Sequence, residues 1–516
     1  MKMKLYTSEL IRRIISSNEH FEEIAIKDSY TWQEITYGEY ADKAKQIAIF
    51  LKQECDFNKW DTVIGFTRNP IYYSIIVLWA LIAWWRFALL DPSMWTESCN
   101  KKILKLKPKV WFYDPILLSV PFSDRFMNYF WLPDPYNIMG MRIVSMWRGF
   151  LLKKQIKEFE FHNTSDQKEI EYEMRNEKED AIIVFTWWTT SEPKWVTHSL
   201  ESLYNMLKEV SEISKNTKVL YADLPQFILL GLMNYKRVIA GRTGFSDKRL
   251  IKAIRENNAD TIFSPPYRFA DILRKKIMIP DCLKYIFFWS APVYAWFLSK
   301  FYEYAKTGIN VYSIYWMTEI LPIAIIEGNE KIELSKSVKW DILGYPINSI
   351  SLTIKDDELM VKWKHWLSRY MWDGHDIDWI NTWDLAEIID SWWKKLITML
   401  WRKKDMIIRK EYNIYPTLYE KTINDIPWIK IASLIGIWNE DKQDEEIVLC
   451  IETEDDVSWN AKFEKYIMSS ISNWKYSIDS FAIPDRIHFT RIPCAWRQKK
   501  INKEMLKNNY LNSIWK

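Results

Sequence analysis

Residues 181–196 read Ala181-Ile182-Ile183-Val184-Phe185-Thr186-Trp187-Trp188-Thr189-Thr190-Ser191-Glu192-Pro193-Lys194-Trp195-Val196. The first five are continuously apolar, as expected of a strand buried on both faces of a sheet. The strand ends at Thr186, and the loop behind it is rich in hydroxyls and carries one lysine. A loop of this kind at a strand end can hold phosphate oxygens through backbone N–H groups, hydroxyls and a point positive charge. Thr and Ser clusters after strands are also ordinary turns, and these residues alone leave both readings open.

Working outward, helical stretches alternate with short apolar runs from about residue 30 to 400, the pattern of mixed α/β architecture. Tyr40 to Gln53 has apolar residues at helical spacing, and Thr62-Val63-Ile64-Gly65-Phe66 reads as a strand. Thr261-Ile262-Phe263-Ser264 and Tyr285-Ile286-Phe287-Phe288 read as further buried strands, each followed by a Pro-containing turn. Ile71 to Trp85 contains no charge, but falls short of the ~20 residues needed to span a bilayer. It is predicted to be a buried helix running into the strand Phe87-Ala88-Leu89-Leu90. The charged run Arg402-Lys403-Lys404-Asp405 marks the clearest boundary, with the alternative that it is a solvated loop within one domain. The expected division is residues 1–401, a large domain of mostly parallel sheets with helices, and residues 402–516, a small mobile α+β domain that includes the apolar run Glu446 to Ile451.

Composition narrows the class. With 71 Lys plus Arg against 67 Asp plus Glu over 516 residues, the net charge is +4, which predicts no nucleic-acid partner. Five scattered cysteines without a C-x-x-C pair imply reduced thiols, and six histidines without metal-ligand spacing give zinc no support. Met1 to Ser17 lacks the apolar core of a secretion signal, so the expected location is the cytoplasm. One pair of numbers is abnormal: 12 glycines and 30 tryptophans, where glycine ordinarily makes up about 7% of a chain. Many tryptophans therefore stand where glycine is expected.

Several segments share one family resemblance. The loop Thr186 to Val196 resembles the phosphate loop T-[SG]-G-T-T-G-x-P-K-G of the adenylate-forming (ANL) superfamily, which contains acyl-CoA synthetases, adenylation domains and luciferases. Tyr315-Trp316-Met317-Thr318-Glu319 is similar to Y-G-x-T-E, and Thr382-Trp383-Asp384-Leu385 to T-G-D-L. Trp401-Arg402-Lys403-Lys404-Asp405 with Asn413-Ile414-Tyr415-Pro416 resembles the hinge motif G-R-x-x-D and its sequel. Lys500-Ile501-Asn502-Lys503 resembles K-[IV]-x-[KR]. Upstream, Ala83 to Pro92 is similar to A-G-x-x-x-x-P-L-D-P, and Phe288-Trp289-Ser290-Ala291-Pro292 to the G-[SG]-A-P turn. The likeness runs from about residue 28 to 505.

The resemblance implies a two-step reaction, in which a carboxylate attacks the α-phosphate of ATP to give an acyl adenylate and a thiol then displaces AMP. It gives Thr186, Thr189, Thr190 and Lys194 to the β and γ phosphates, Glu319 to Mg²⁺ and Thr318 to the α-phosphate. Tyr315 would stack on adenine, with Ser290, Ala291 and Pro292 lining the base pocket. Asp384 would accept bonds from the ribose hydroxyls, Arg402 would serve the ribose and phosphates, and Lys404 would sit at the hinge of a rotating C-terminal domain. Lys500 would bridge the carboxylate and the α-phosphate during adenylation. The thiol is that of coenzyme A or of the phosphopantetheine on an acyl carrier protein. The acid would sit near Pro225 to Met233 and Phe288 to Pro292, and Phe227-Ile228-Leu229-Leu230-Gly231-Leu232 hints at a fatty or other aliphatic acid.

The departures from the family pattern are tryptophans at its glycine positions, at 84 or 85, 187 or 188, 195, 289, 316, 383, 401 and 496, with Glu411 at another beside the thiol path. Glycine in a phosphate loop permits positive φ and close approach of backbone N–H groups to phosphate, and an indole permits neither. The alternative to an enzyme is thus a blocked, non-catalytic relative with a binding or scaffold role. An aromatic ligand-binding surface is disfavoured, because the tryptophans follow turn positions and define no single face. No G-x-x-x-x-G-K-[ST] occurs, which disfavours a Walker-type NTPase.

Overall fold

The structure is a computed structural model, and it describes residues 3–15, 18–54, 61–66, 69–83, 85–89, 103, 105–113, 142–145, 157–158, 170–185, 195–242, 246–290, 293–305, 308–338, 340–363, 368–370, 379–391, 394–402, 406–410, 412–414, 416–453, 461–473, 476–493 and 503–514. Its architecture is α/β, as the alternation of elements predicts. The strand Asp180–Phe185 lies inside an eight-stranded sheet. It runs parallel to Arg86–Leu89, with Ile182 opposite Phe87, and antiparallel to Trp195–Ser199. Ala181, Ile182 and Ile183 are all buried, which is why the run could be apolar on both faces.

Asn69 starts the helix Pro70–Ile82 by accepting bonds from the N–H groups of Ile71 and Tyr72, and Pro70 occupies the first turn, where its missing N–H costs nothing. The helix is shorter than the apolar run predicts. It stops at Ile82, Trp85 lies in the connection, and the following strand is Arg86–Leu89, one residue earlier than expected. The predicted helix over 40–53 lies within Tyr37–Glu54, and the strands Thr62–Phe66, Thr261–Ser264 and Tyr285–Phe288 stand where the sequence puts them.

A second sheet of thirteen strands carries most of the site. Its parallel part runs through Arg237–Ala240, Val219–Ala222, Thr261–Ser264, Tyr285–Phe288 and Asn310–Met317. From there it continues antiparallel through Ile320–Glu327, Asp341–Pro346, Lys394–Arg402 and Ile380–Ser391. Gly344, at φ +122°, lets the strand Asp341–Pro346 pass so close to Ile325 that a Cβ there would lie 2.6 Å from the Ile325 carbonyl carbon. The helices Pro70–Ile82, Leu200–Ile213 and Pro225–Met233 share one apolar cluster with this sheet and the eight-stranded one.

Arg402 closes the last strand of the large sheet's Lys394–Arg402 hairpin arm. From Ile407 onward the chain builds a separate three-stranded sheet, Ile429–Asn439, Asp444–Thr453 and Arg486–Phe489, with its own apolar core around Ile423, Leu434 and Ile467. Contacts between it and the large body among the described residues include Tyr294 and Trp438, which meet edge to face at 5.0 Å, and Lys410 Nζ, 5.9 Å from the ring centre of Tyr267.

Candidate active site

A cavity of about 310 Å³ opens beside the strand Asn310–Met317, and Ser290, Tyr315, Trp316, Thr318, Trp289 and His198 are in its wall. Asn310–Met317 and Ile320–Glu327 form a hairpin in which Met317 pairs with Ile320, so Thr318 and Glu319 are the two turn residues. Thr318 is exposed toward the cavity, whereas Glu319 is 4% exposed. A tight turn thus places a hydroxyl and a carboxylate side by side.

The carbonyl of Thr318 accepts a 2.9 Å hydrogen bond from His198 Nε2. His198 follows the loop 186–194 on the strand Trp195–Ser199, whose first residue, Trp195, pairs with Phe185. That pairing brings the two ends of the loop together at the same side of the site. The His198 ring is buried, and burial pulls its pKa down to about 4, so the ring is neutral. A carbonyl can only accept, so Nε2 carries the proton. Nδ1 then accepts from Ser202 Oγ at 3.3 Å.

Across the antiparallel part of the sheet, Asp384 is 4% exposed and its Oδ2 accepts a 2.6 Å bond from Tyr315 Oη. The backbone around it is tightly held. Trp383 sits at φ +62° and its N–H donates to Glu358 Oε1, while Thr382 Oγ1 donates to Leu359 O. In the hairpin register Arg402 stands opposite Asp384. Tyr315, Thr318, Glu319, Asp384 and the backbone of Arg402 thus belong to two hairpins of one sheet, which the Tyr315–Asp384 bond ties together across the strand Asp341–Pro346. Ser290, at φ +73° just past the strand Tyr285–Phe288, joins them at the cavity wall.

Thr186, Thr189, Thr190, Lys194, Ala291, Pro292, Lys404, Glu411 and Lys500 lie outside the described residues. Within Pro225–Met233, Pro225, Gln226 and Leu229 reach the cavity wall, and Phe227, Ile228, Leu230 and Leu232 belong to the buried core. Sequence reasoning missed His198 and a buried ion pair at the cavity wall, Lys331 Nζ to Asp341 Oδ1 at 3.0 Å. The position of His198 directly behind the loop was the available signal.

Among the described residues no group of three His, Cys, Asp or Glu could hold a metal ion. The buried carboxylate of Glu319 beside the exposed Thr318 hydroxyl fits Mg²⁺, which is typically bound by one or two carboxylates and completed by substrate phosphates and water. No described helix is long and apolar enough to cross a membrane.

Comparison with known proteins bears on the fold and the family. The family model described as AMP-binding enzyme matches residues 16–364. A 2-succinylbenzoate–CoA ligase of Staphylococcus aureus (strain JH9) is 24% identical over 315 residues, 57% of this chain and 61% of that protein. The chain thus spans about three fifths of the length of the curated relatives it matches. The amide bond synthetase McbA of Marinactinospora thermotolerans superimposes with a TM-score of 0.79 at 15% identity, covering 97% of this chain and 99% of that one. An o-succinylbenzoate CoA synthetase of Bacillus subtilis, bound with a product analogue, gives a TM-score of 0.74 at 18% identity over 98% of both chains. The motifs, the fold and the matched span agree, and the chain belongs to the AMP-binding enzyme family of the adenylate-forming (ANL) superfamily.

Proposed function

We propose that the protein is an AMP-forming acid–thiol ligase, which activates a carboxylic acid with ATP and passes the acyl group to a thiol. The observation that supports this most is that Tyr315 and Thr318 line one cavity, with Asp384 bonded to Tyr315, Glu319 next to Thr318 in the same turn, and the ends of the loop 186–194 paired on the strand that carries His198. In the first step the acid's carboxylate oxygen attacks the α-phosphorus and pyrophosphate leaves. In the second a thiolate attacks the acyl carbon and AMP leaves. Such chemistry depends on positioning and on neutralising charge at the phosphate oxygens.

In this reading the Thr318 hydroxyl donates to an α-phosphate oxygen, and Asp384, fixed by Tyr315, accepts from the ribose. Thr186, Thr189, Thr190 and Lys194 hold the β and γ phosphates. Ser290, Ala291 and Pro292 line the base pocket and Arg402 serves the ribose. Glu319 would hold Mg²⁺, which supplies charge neutralisation at the phosphates. Lys500 acts in adenylation only, and the segment after Arg402, 402–516, turns about Lys404 between the two steps. The acid has an apolar body, fatty or otherwise aliphatic, because Leu203, Met206 and Leu229 line the cavity. The acceptor is coenzyme A or a carrier-protein phosphopantetheine, in the cytoplasm.

One observation favours a second reading. The indoles of Trp289 and Trp316 meet at 4.3 Å in the cavity wall, where the family pattern has glycine, and a chain blocked there would bind without catalysing. Acid-dependent exchange of labelled pyrophosphate into ATP, with Mg²⁺ and a panel of aliphatic and aromatic acids, tests the enzyme reading. Exchange with any acid supports it. No exchange with any acid, from a chain that also fails to bind ATP by calorimetry, would establish the blocked relative.

A further inference from the structure

Tryptophan holds backbone and packing positions in this chain that suit glycine. Among the described residues Trp32, Trp383 and Trp428 have φ of +64°, +62° and +70°. A bulky side chain in that region is an outlier, whereas glycine enters it freely. Trp32 and Trp428 are 51% and 50% exposed; Lys27 Nζ lies 4.6 Å from the Trp32 ring centre, and Trp428 meets Phe463 and Tyr466 edge to face at 6.4 and 5.8 Å, contacts that leave both indoles half open to solvent. In the interior, the Nε1 atoms of Trp79, Trp289 and Trp363 are buried without a hydrogen-bond partner among the described residues, although a buried indole N–H usually has one. The two residue types are also complementary in number: 12 glycines and 30 tryptophans together make about 8% of the chain, close to the ~7% that glycine alone ordinarily occupies.

From these observations we infer that the protein, as its own cell makes it, carries glycine at most of these positions, through a codon read here as tryptophan and decoded there as glycine. The triplet UGA fits, since it lies one base from the tryptophan codon UGG and one base from the glycine codon GGA. Removing the indoles at 289 and 316 enlarges the cavity at the wall that holds Tyr315 and Ser290, and glycine at 383 relieves the turn before Asp384. The inference rests on the family assignment and on backbone geometry, not on the proposed activity.

Mass spectrometry of peptides covering 289, 316, 383 and 428, from the protein isolated from the organism that encodes it, decides it. Glycine at 316 and 383, with the peptide masses lower by the difference between the two residues, is the expected result. Tryptophan at both overturns it. Should glycine be found and the glycine-bearing chain still activate no acid, the ligase reading falls and this inference stands; an active chain with tryptophan at both positions gives the reverse.

A separate observation carries a second inference. His198 is buried, donates from Nε2 to the Thr318 carbonyl, and is held at Nδ1 by Ser202, which lies in the helix that Ser199 caps. We propose that His198 is a positioning residue that fixes the turn Thr318–Glu319 for the adenylation step, an assignment that rests on the ligase reading. The variant His198→Phe keeps the ring and removes the donor, and His198→Gln restores a donor at the distance of Nε2. The expected result is a loss of about fivefold to tenfold in kcat for pyrophosphate exchange in His198→Phe, the worth of one hydrogen bond. His198→Gln should recover most of it, and thioester formation from supplied acyl adenylate should stay within twofold. Equal loss in both half-reactions, or no recovery with Gln, overturns the assignment. If the parent chain shows no exchange, the affinity of the three chains for a non-hydrolysable acyl-adenylate analogue decides instead, weaker binding by His198→Phe with recovery by Gln supporting it and equal affinities overturning it.

Discussion

Tyr315 and Asp384, 69 positions apart, are joined by a 2.6 Å hydrogen bond from the tyrosine hydroxyl to Asp384 Oδ2. Tyr315 is in the strand Asn310–Met317 and Asp384 in Ile380–Ser391, with three antiparallel strands between them in the sheet order, so the bond ties two strands that do not pair. Besides any stacking on a base, the tyrosine orients the carboxylate. Tyr315→Phe keeps the ring and removes the bond. A hydrogen bond to a charged group is worth about 1.5–3 kcal/mol, so KM for ATP should rise by roughly tenfold or more while kcat changes less. An unchanged KM would show that Asp384 is held well enough by its own strand.

Arg175 offers a test of stability away from the site. Its side chain is fully buried, donates to the carbonyls of Leu81 and Asp180 at 2.9 and 2.7 Å, and lies near Glu179. It thereby ties the end of the helix Pro70–Ile82 to the start of the strand Asp180–Phe185 that leads into the loop. Arg175→Met leaves two buried carbonyls without their donor, at about 1–3 kcal/mol for an unsatisfied group. Thermal unfolding should fall by several degrees, and a midpoint unchanged from the parent would refute this role.

Asp444 gives the C-terminal unit a pH dependence. Burial pushes its carboxyl up to about 7, against the bonds it accepts from the Lys410 and Glu445 N–H groups. The folded state therefore holds a proton more tightly than the unfolded chain, where an aspartate titrates near 3.9. The stabilisation is complete below about 4, declines as pH rises toward 7 and is level above it. Asp444→Asn keeps the acceptor and removes the ionisation. Its unfolding midpoint should exceed the parent's at pH 8, and the gap should close toward pH 4. A constant gap across that range would rule out Asp444 as its source.

The sequence made legible those elements whose cause is local. The run Ala181 to Phe185 is a strand whose consecutive residues Ala181, Ile182 and Ile183 are buried, so both faces are covered, and Asn69-Pro70 starts a helix by capping chemistry that needs no distant partner. The end of that helix was misjudged because Ala83 to Trp85 stays apolar while the chain turns, and the continuing hydrophobicity hides the break. The candidate residues Thr318, Glu319 and Asp384 stand out in the sequence through the motifs around them, and the structure brings Asp384 to Tyr315 and sets Thr318 beside Glu319 in one turn. His198 does not stand out, because its partner Thr318 is 120 positions away and a lone histidine carries no spacing. The aliphatic run at Phe227 to Leu232 points mostly into the core, so its composition reports packing more than substrate.

The role proposed for Lys500 rests on the family resemblance of Lys500-Ile501-Asn502-Lys503. If it bridges the carboxylate and the α-phosphate, its charge acts where pyrophosphate leaves and has no part when the thiol attacks. Lys500→Ala should abolish pyrophosphate exchange and spare thioester formation from supplied acyl adenylate. Equal loss of both steps would remove Lys500 from that position.

The nucleotide site itself can be tested by restoring glycine. At 383 the change releases a bulky residue from φ +62° beside the carboxylate that Tyr315 holds. At 316 it removes an indole packed 4.3 Å from Trp289 in the cavity wall, and at 187, 188 and 195 it gives the proposed phosphate loop a sequence whose backbone N–H groups can approach phosphate closely. Calorimetry with ATP and Mg²⁺ should show binding by the restored chain at least tenfold tighter than by the unmodified one, a gain of about 1.4 kcal/mol. If, as proposed, Trp383 and Trp316 stand at the ribose and base ends and the loop at the phosphates, restoring either group alone should recover only part of the affinity. Equal affinities for the restored and unmodified chains would mean that the indoles leave the nucleotide site open, and the blocked reading would then have no physical basis.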